Sequence, residues 1–364
     1  MRDGDNRAFE TSNPLVNQIH KNSYWGIRSN YRGMPTDCPQ RDERLGWLGD
    51  RATGAYGEAF IFNNAQLYNK WLQDIEDSMS PEGSISDVSP NYWTIYADDV
   101  TWPSAFFYVA DMLYRQFGDD SAIRAHYPAM KRWMAHMEEA TMKDYIMTKD
   151  QYGDWCMPPE SQELIHSKDP ARKTDGAILS TTVYYDLLNK MIGFARICGQ
   201  DADISGYESL AAKIKAAYNA KFFNKETAEY GNNTVTANIL SLRLGLVPEG
   251  YEGKVFSNIV KKTEEDFNGH VSTGVLGIQH LMRGLTEYGR SICYKILTNE
   301  TYPSWGYMIK NGATTIWELW NGDTADPAMN SANHVMLLGD LLIWYYEDLA
   351  GIKCAPDAVV SRNW

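Results

Sequence analysis

Apolar side chains recur along most of the chain at spacings of three and four residues, and almost nowhere at spacing two. That period belongs to helices packed by one face and not to half-buried strands. Tyr184, Leu188, Met191 and Ala195 share one face, as do Leu210, Ile214, Ala217 and Tyr218 on the helix that follows. Asn13-Pro14 reads as an N-cap with proline in the first helical position, opening a helix that runs to about Ser29. Further helices are predicted near 50–62, 64–78, 103–117, 120–140, 234–245, 250–265, 274–285 and 287–298. A final one is predicted over 328–348, where Val335, Leu338, Leu342, Tyr345 and Leu349 keep the period.

Twelve helices result, and the lengths of their connections alternate. The links after the first, third, fifth and eleventh helices are long and rich in aromatics, whereas those after even-numbered helices are short. In consecutive antiparallel helices, all odd-to-even connections lie at one end. The pattern therefore predicts an all-α fold, an (α/α)6 toroid of six helical hairpins with its long loops on one face. Residues 1–12 read as an N-terminal extension, 13–351 as the barrel, and 352–364 as a tail leading toward a further domain.

Composition narrows the chemistry. The net charge of −13 and the lack of basic clusters exclude nucleic acid and anionic membrane surfaces as natural partners. No run approaches the roughly 20 apolar residues of a membrane span. The first residues lack a signal peptide's apolar core, so a cytoplasmic chain fits, as does a periplasmic or secreted one whose leader has been removed. Cys38, Cys156, Cys198, Cys293 and Cys354 are scattered and form no CxxC pair, which points to neither a disulfide framework nor a zinc site. No metal and no organic cofactor is expected.

The connection Thr36-Asp37-Cys38-Pro39-Gln40-Arg41-Asp42-Glu43-Arg44-Leu45-Gly46-Trp47-Leu48-Gly49-Asp50 stands apart from the helical pattern. Pro39, Gly46 and Gly49 break regular structure, so four carboxylates, two arginines and an indole are gathered in one loop. Such a set suits sugar chemistry: carboxyls for acid–base work, Asp and Arg for hydroxyls, and a flat ring for the sugar's C–H face. Chemistry alone leaves Asp42 and Glu43 equal as proton donor. Near the other end of the chain, Glu318 lies between Trp317 and Trp320, an apolar setting that raises a carboxyl's proton affinity.

The fifteen-residue loop resembles a signature of the α-L-rhamnosidases of glycoside hydrolase family seventy-eight. Thr315-Ile316-Trp317-Glu318-Leu319-Trp320-Asn321-Gly322-Asp323 and Ser331-Ala332-Asn333-His334-Val335 resemble that family's second signature region. The likeness runs from about Asn13 to Gly351. It implies an (α/α)6 catalytic barrel that removes terminal α-L-rhamnose from glycosides or polysaccharides, with inversion. By motif position, Glu43 matches the general acid and Glu318 the general base. Asp37, Arg41, Trp47 and Asp50 match residues lining the rhamnose site, with Asp42 and Trp320 beside them. Trp102 and Trp155 resemble aromatics of the sugar pocket, and His334 a polar residue close to the base. Family proteins usually carry β-rich domains on both sides of the barrel, which are absent from this chain. Other readings fit the residues: another (α/α)6 glycosidase or phosphorylase, a sugar-binding domain without catalysis, or a fragment inactive without its β-domains.

Overall fold

The computed structural model describes residues Phe9 to Lys353; Cys354 and the rest of the expected tail lie outside them, as do the first eight residues of the expected extension. In order come α1 (Pro14–Ser29), α2 (Gly54–Glu58), α3 (Ala65–Asp77), α4 (Ala105–Phe117) and α5 (Ser121–Thr141). They are followed by α6 (Gly176–Cys198), α7 (Asp201–Phe222), α8 (Val235–Arg243) and α9 (Glu252–Lys261). The last are α10 (Val275–Tyr288), α11 (Arg290–Leu297), α12 (Trp305–Lys310) and α13 (Leu341–Trp344), the last running on into a wider turn, Tyr345–Leu349. Two small antiparallel hairpins occupy stretches expected to be loop: β1 (Met142–Lys143) with β2 (Ile146–Met147), and β3 (Phe223–Asn224) with β4 (Glu229–Tyr230).

Helices α2, α4, α6, α8, α10 and α13 pack neighbour to neighbour and close into an inner ring, α13 returning to α2. The inner position explains their composition. Every residue of α8 from Val235 to Leu242 is buried, and α4 buries Ala105 through Ala110 without a break. A helix with no solvent face is one enclosed by others. Local sequence sets the ends: Asn13 Oδ1 accepts from the Leu15 and Val16 amides, and α4 and α6 stop at left-handed Gly118 and Gly199.

Among the described residues thirteen helices stand where twelve were expected, α12 lying in the long link before the last. Two of the expected helices depart from the periodic reading. The one expected over 50–62 shrinks to α2: Arg51, before it, is drawn into a buried network, and within it Gly57 lies so close to α13 that a Cβ would sit 3.0 Å from Leu342 Cβ. The long helix expected over 328–348 breaks into a short turn at Pro327–Met329, an extended run, a second turn at Met336–Leu338, and then α13. Its early residues pair with the Glu318 segment: the Glu318 amide donates to Ser331 O at 2.9 Å, and the His334 amide to Ile316 O at 2.7 Å. Gly339, at φ 49°, then turns the chain where any Cβ would meet Ile278 O at 2.3 Å. Burial preserved the apolar spacing while the helix itself was interrupted.

The ring closes between the first and last elements. Phe9 stacks on His20 with centroids 4.9 Å apart and meets Tyr345 edge-on at 4.9 Å. Tyr345 donates to Val16 O at 2.9 Å, and Asn22 Nδ2 donates to Ala313 O at 2.8 Å.

Candidate active site

The acidic loop leaves α1 and is tied down on both sides. Asp37 Oδ1 accepts the Leu45 amide at 2.7 Å, closing the loop on itself. Its far side forms a bridge in which Trp47 pairs with Val88, the Ser89 amide donates to Gly46 O at 2.9 Å, and the Leu48 amide donates to Asp87 O at 3.0 Å. Only glycine fits at 46, since a Cβ would stand 2.0 Å from Ser89 O. Beneath the loop, Arg51 is fully buried, pairs with Glu58, and donates to Thr36 O at 2.7 Å. Tyr31 and Tyr68 both donate to Glu58 Oε2 at 2.5 Å. This network fixes the stem of the loop from within the ring.

Arg41 is the hinge of the cluster. Its Nη2 lies 2.6 Å from Glu43 Oε2 and 3.4 Å from Glu318 Oε1, so these two oxygens are at most 6.0 Å apart. Nη1 donates to Glu318 Oε2 at 3.1 Å across 277 residues of sequence. Glu43 also accepts from Trp47 Nε1 at 2.7 Å, and Glu318 accepts the Ser331 amide at 2.7 Å. The two neighbouring carboxylates differ in position: Glu43 pairs with Arg41 inside the cluster, whereas Asp42 is exposed.

Burial dominates the electrostatics. It raises the proton affinity of Glu318, with Arg41 and the Ser331 amide pulling the other way. Asp50 is pushed well above the usual carboxylate range by burial and then by the Asp37 charge. Asp37 is raised chiefly by burial, and its Oδ2 is buried without a hydrogen-bond partner, 4.0 Å from Arg41 Nη2 and 3.8 Å from His334 Nε2. His334 is buried and its pKa is pushed down to about 3 by desolvation and then by Arg41, so the ring is neutral. The Met336 amide donates to Nδ1 at 3.2 Å, which leaves the ring proton on Nε2 toward Asp37.

The remaining expected residues divide. Trp102 is buried, its ring 4.2 Å from Tyr152, and Gly49 passes so near that a Cβ would be 2.4 Å from the indole. Trp155 is 37% exposed and lies against His166 at 4.8 Å. Trp320 is 1% exposed, edge-on to Trp305, and backs the Glu318 segment from the core.

Three residues enter that sequence reasoning missed. Tyr152 lies 6.0 Å from Trp47, edge to face, and donates to Asp87 Oδ2 at 2.6 Å. Burial raises Asp87 to about 8, and its Oδ1 has no partner. Asp154, within the Gly153-Asp154-Trp155 stretch, is a cap: it accepts the Gly274, Leu276 and Gly277 amides at the start of α10 and so fixes Trp155. Only the clustering of Asp and aromatic residues in loops 80–101 and 141–176 hinted at these roles.

Asp37, Cys38 and Glu43 place one donor atom each within 4.8 Å of one another. Burial keeps the Cys38 thiol protonated and Arg41 already neutralises Glu43, so the trio is poorly suited to a metal ion. A separate cavity of about 340 Å³ lies toward the other end of the inner ring, lined by Tyr108, Lys190, His280 and Arg283 among others. Its cations are satisfied internally, with Lys190 on Asp111 at 2.8 Å and Arg283 on Asp340 at 3.4 Å.

A closed ring of helical hairpins with paired carboxylates, an arginine and indoles at one mouth defines the class as a six-hairpin glycosidase fold. The chain belongs to the bacterial alpha-L-rhamnosidase six-hairpin glycosidase domain family, whose model matches residues 5–349. It is 33% identical over 358 residues to an alpha-L-rhamnosidase of Formosa agariphila, covering 96% of this chain and 37% of that protein. The structure matches that of the alpha-L-rhamnosidase from Dictyoglumus thermophilum with a TM-score of 0.89 and 38% identity, over 96% of this chain and 38% of that one. The Streptomyces avermitilis alpha-L-rhamnosidase complexed with L-rhamnose matches with a TM-score of 0.88 and 30% identity, over 96% and 33%. This chain thus spans about a third of the length of these relatives.

Proposed function

We propose that this chain is the catalytic barrel of an exo-acting α-L-rhamnosidase that works with inversion. Glu43 donates a proton to the leaving oxygen and Glu318 draws one from water on the opposite face of the sugar ring. The observation that carries the reading is the meeting of Glu43 and Glu318 on the one guanidinium of Arg41. Arg41 and the Ser331 amide favour the ionised form of Glu318 that a base requires, against the pull of burial. Asp37 Oδ2, buried without a partner, is an acceptor matched to a sugar hydroxyl, and neutral His334 holds a donor beside it. Inversion rests on the family resemblance. Inverting pairs lie roughly 6.5–9.5 Å apart and retaining pairs about 5–5.5 Å, and the 6.0 Å bound on the nearest oxygens falls between.

Asp50 supports a second assignment of the acid, because burial first and the Asp37 charge second raise its proton affinity, as a donor requires. The two acids separate by leaving group. Glu43→Gln should lose turnover of rhamnosides with poor leaving groups and keep much of it with a nitrophenyl group, which needs no proton. If Asp50→Asn behaves so and Glu43→Gln does not, the roles are exchanged.

The function is tested with aryl glycosides of several sugars, followed by proton NMR of the first product. Release from the α-L-rhamnoside, β-L-rhamnose as the initial anomer, and a loss of roughly 10²–10⁴-fold in Glu318→Gln are expected. A preference for another sugar, α-L-rhamnose appearing first, or near-normal turnover in that variant would overturn the reading.

A further inference from the structure

Four aromatic rings form a row whose exposure falls steadily inward. Trp93 is 43% exposed, Trp47 and Tyr152 are half-buried, and Trp102 is 3% exposed. Neighbours in the row touch: Trp93 to Trp47 at 6.0 Å and 80°, Trp47 to Tyr152 at 6.0 Å and 87°, Tyr152 to Trp102 at 4.2 Å. The buried end lies by Gly49, beside Asp50, and the open end lies at Trp93 with Tyr92, which is 84% exposed. The bridge between Trp47 and Val88 and the bond from the Ser89 amide to Gly46 O fix this second loop against the first. Trp93 is thus held at the rim beside the Trp47 indole.

We propose that Tyr92 and Trp93 form the subsite for the group next to the cleaved rhamnose, and that this group carries a ring with an apolar face. The inference rests on the reading of Glu43 as general acid. An acid must lie beside the oxygen that departs, so the leaving group sits on Glu43's side of the cleaved bond. Glu43 Oε1 accepts from Trp47 Nε1, and Trp93 is the ring on the outward side of Trp47. An exo-acting site admits the terminal sugar to the buried end of the row, so the remainder of the substrate passes outward over Trp93. Exposed flat rings bind the C–H face of a pyranose or the face of an aryl group, and both present the same apolar surface.

The test compares three α-L-rhamnosides: methyl, with no ring beyond the rhamnose; rhamnosyl-glucose; and an unactivated phenyl glycoside. In Trp93→Ala, kcat/KM for the two ring-bearing substrates should fall about two- to tenfold, the worth of one ring–ring contact, while the methyl rhamnoside changes by less than about twofold. Trp93→Phe should keep the preference. A fall confined to the disaccharide identifies a sugar as the natural occupant, and one confined to the phenyl glycoside an aryl group. An equal fall on all three, or none on either ring-bearing substrate, overturns the proposal. If the unaltered chain hydrolyses no rhamnoside at all, the functional reading fails. Calorimetric binding of the same glycosides then decides the subsite: weaker binding of ring-bearing ligands in Trp93→Ala supports it, and equal binding removes it.

Discussion

The buried pair beneath the acidic loop offers the sharpest energetic test. Arg51 has no exposed side-chain surface and Glu58 has 4%, so each charge depends on the other. Glu58→Gln keeps the shape and removes the anion, leaving a guanidinium with Thr36 O as its remaining oxygen partner. It also puts an amide nitrogen among groups that all donate, because Tyr31 and Tyr68 both give their hydroxyl protons to Glu58 Oε2. Breaking a buried pair by removing one member costs about 3–5 kcal/mol. Unfolding entropy is about 2.1 cal/mol/K per residue, or roughly 0.76 kcal/mol/K for 364 residues, so a loss of about 4 kcal/mol lowers Tm by about 5 °C. Scanning calorimetry or a circular-dichroism melt reads this directly. The double variant Arg51→Met/Glu58→Leu should recover part of the loss, since it strands no charge, although both tyrosine hydroxyls lose their acceptor. A Glu58→Gln chain that melts within 1 °C or so of the parent would refute the claim that an uncompensated charge governs this site.

Two further outcomes follow from the loops. Gly46→Ala should force the acidic loop away from Ser89, costing about 1–3 kcal/mol of stability and at least about tenfold in kcat/KM, read by melting and by aryl rhamnoside turnover. Asp87, raised by burial to about 8, binds its proton more tightly folded than unfolded, so its contribution to stability is complete below about pH 4 and lost as pH rises through 8. Between pH 5 and 9, denaturant titrations of Asp87→Asn should therefore show a decline smaller than the parent's by at least about 1.4 kcal/mol, the worth of one pKa unit.

What the chain disclosed in advance follows physical lines. Amphipathic spacing marked α1, α3 and α5, because a helix with one wet face keeps a clear period. It was less reliable for the inner ring. The residues from Val335 to Tyr345 are buried in a turn and a broken helix, and burial alone produced the spacing of an unbroken one. The acidic loop was legible because charged, aromatic and glycine residues at that density have no use in a helix. Glu43 and Asp42 were indistinguishable until side-chain direction was known, since adjacent residues in an irregular loop carry no period to separate them. Asp87 and Tyr152 stayed hidden for a related reason: their partnership joins two loops 65 residues apart.

The closure of the ring has a consequence for the order in which activity appears. Glu43 follows the first helix and Glu318 precedes the last, so the two carboxylates stand on opposite sides of the seam that Phe9, Val16 and Tyr345 hold shut. The helices between them can pack locally as they emerge, but bringing Arg41 to Glu318 requires closing a loop of 277 residues. A molecule whose seam gapes would therefore keep most of its helical content while Glu43 and Glu318, the proposed acid and base, were parted. Catalysis in such a ring reports on a single joint. On gentle heating, hydrolysis should fade before the helical signal does, by whatever margin separates the stability of that joint from that of the rest.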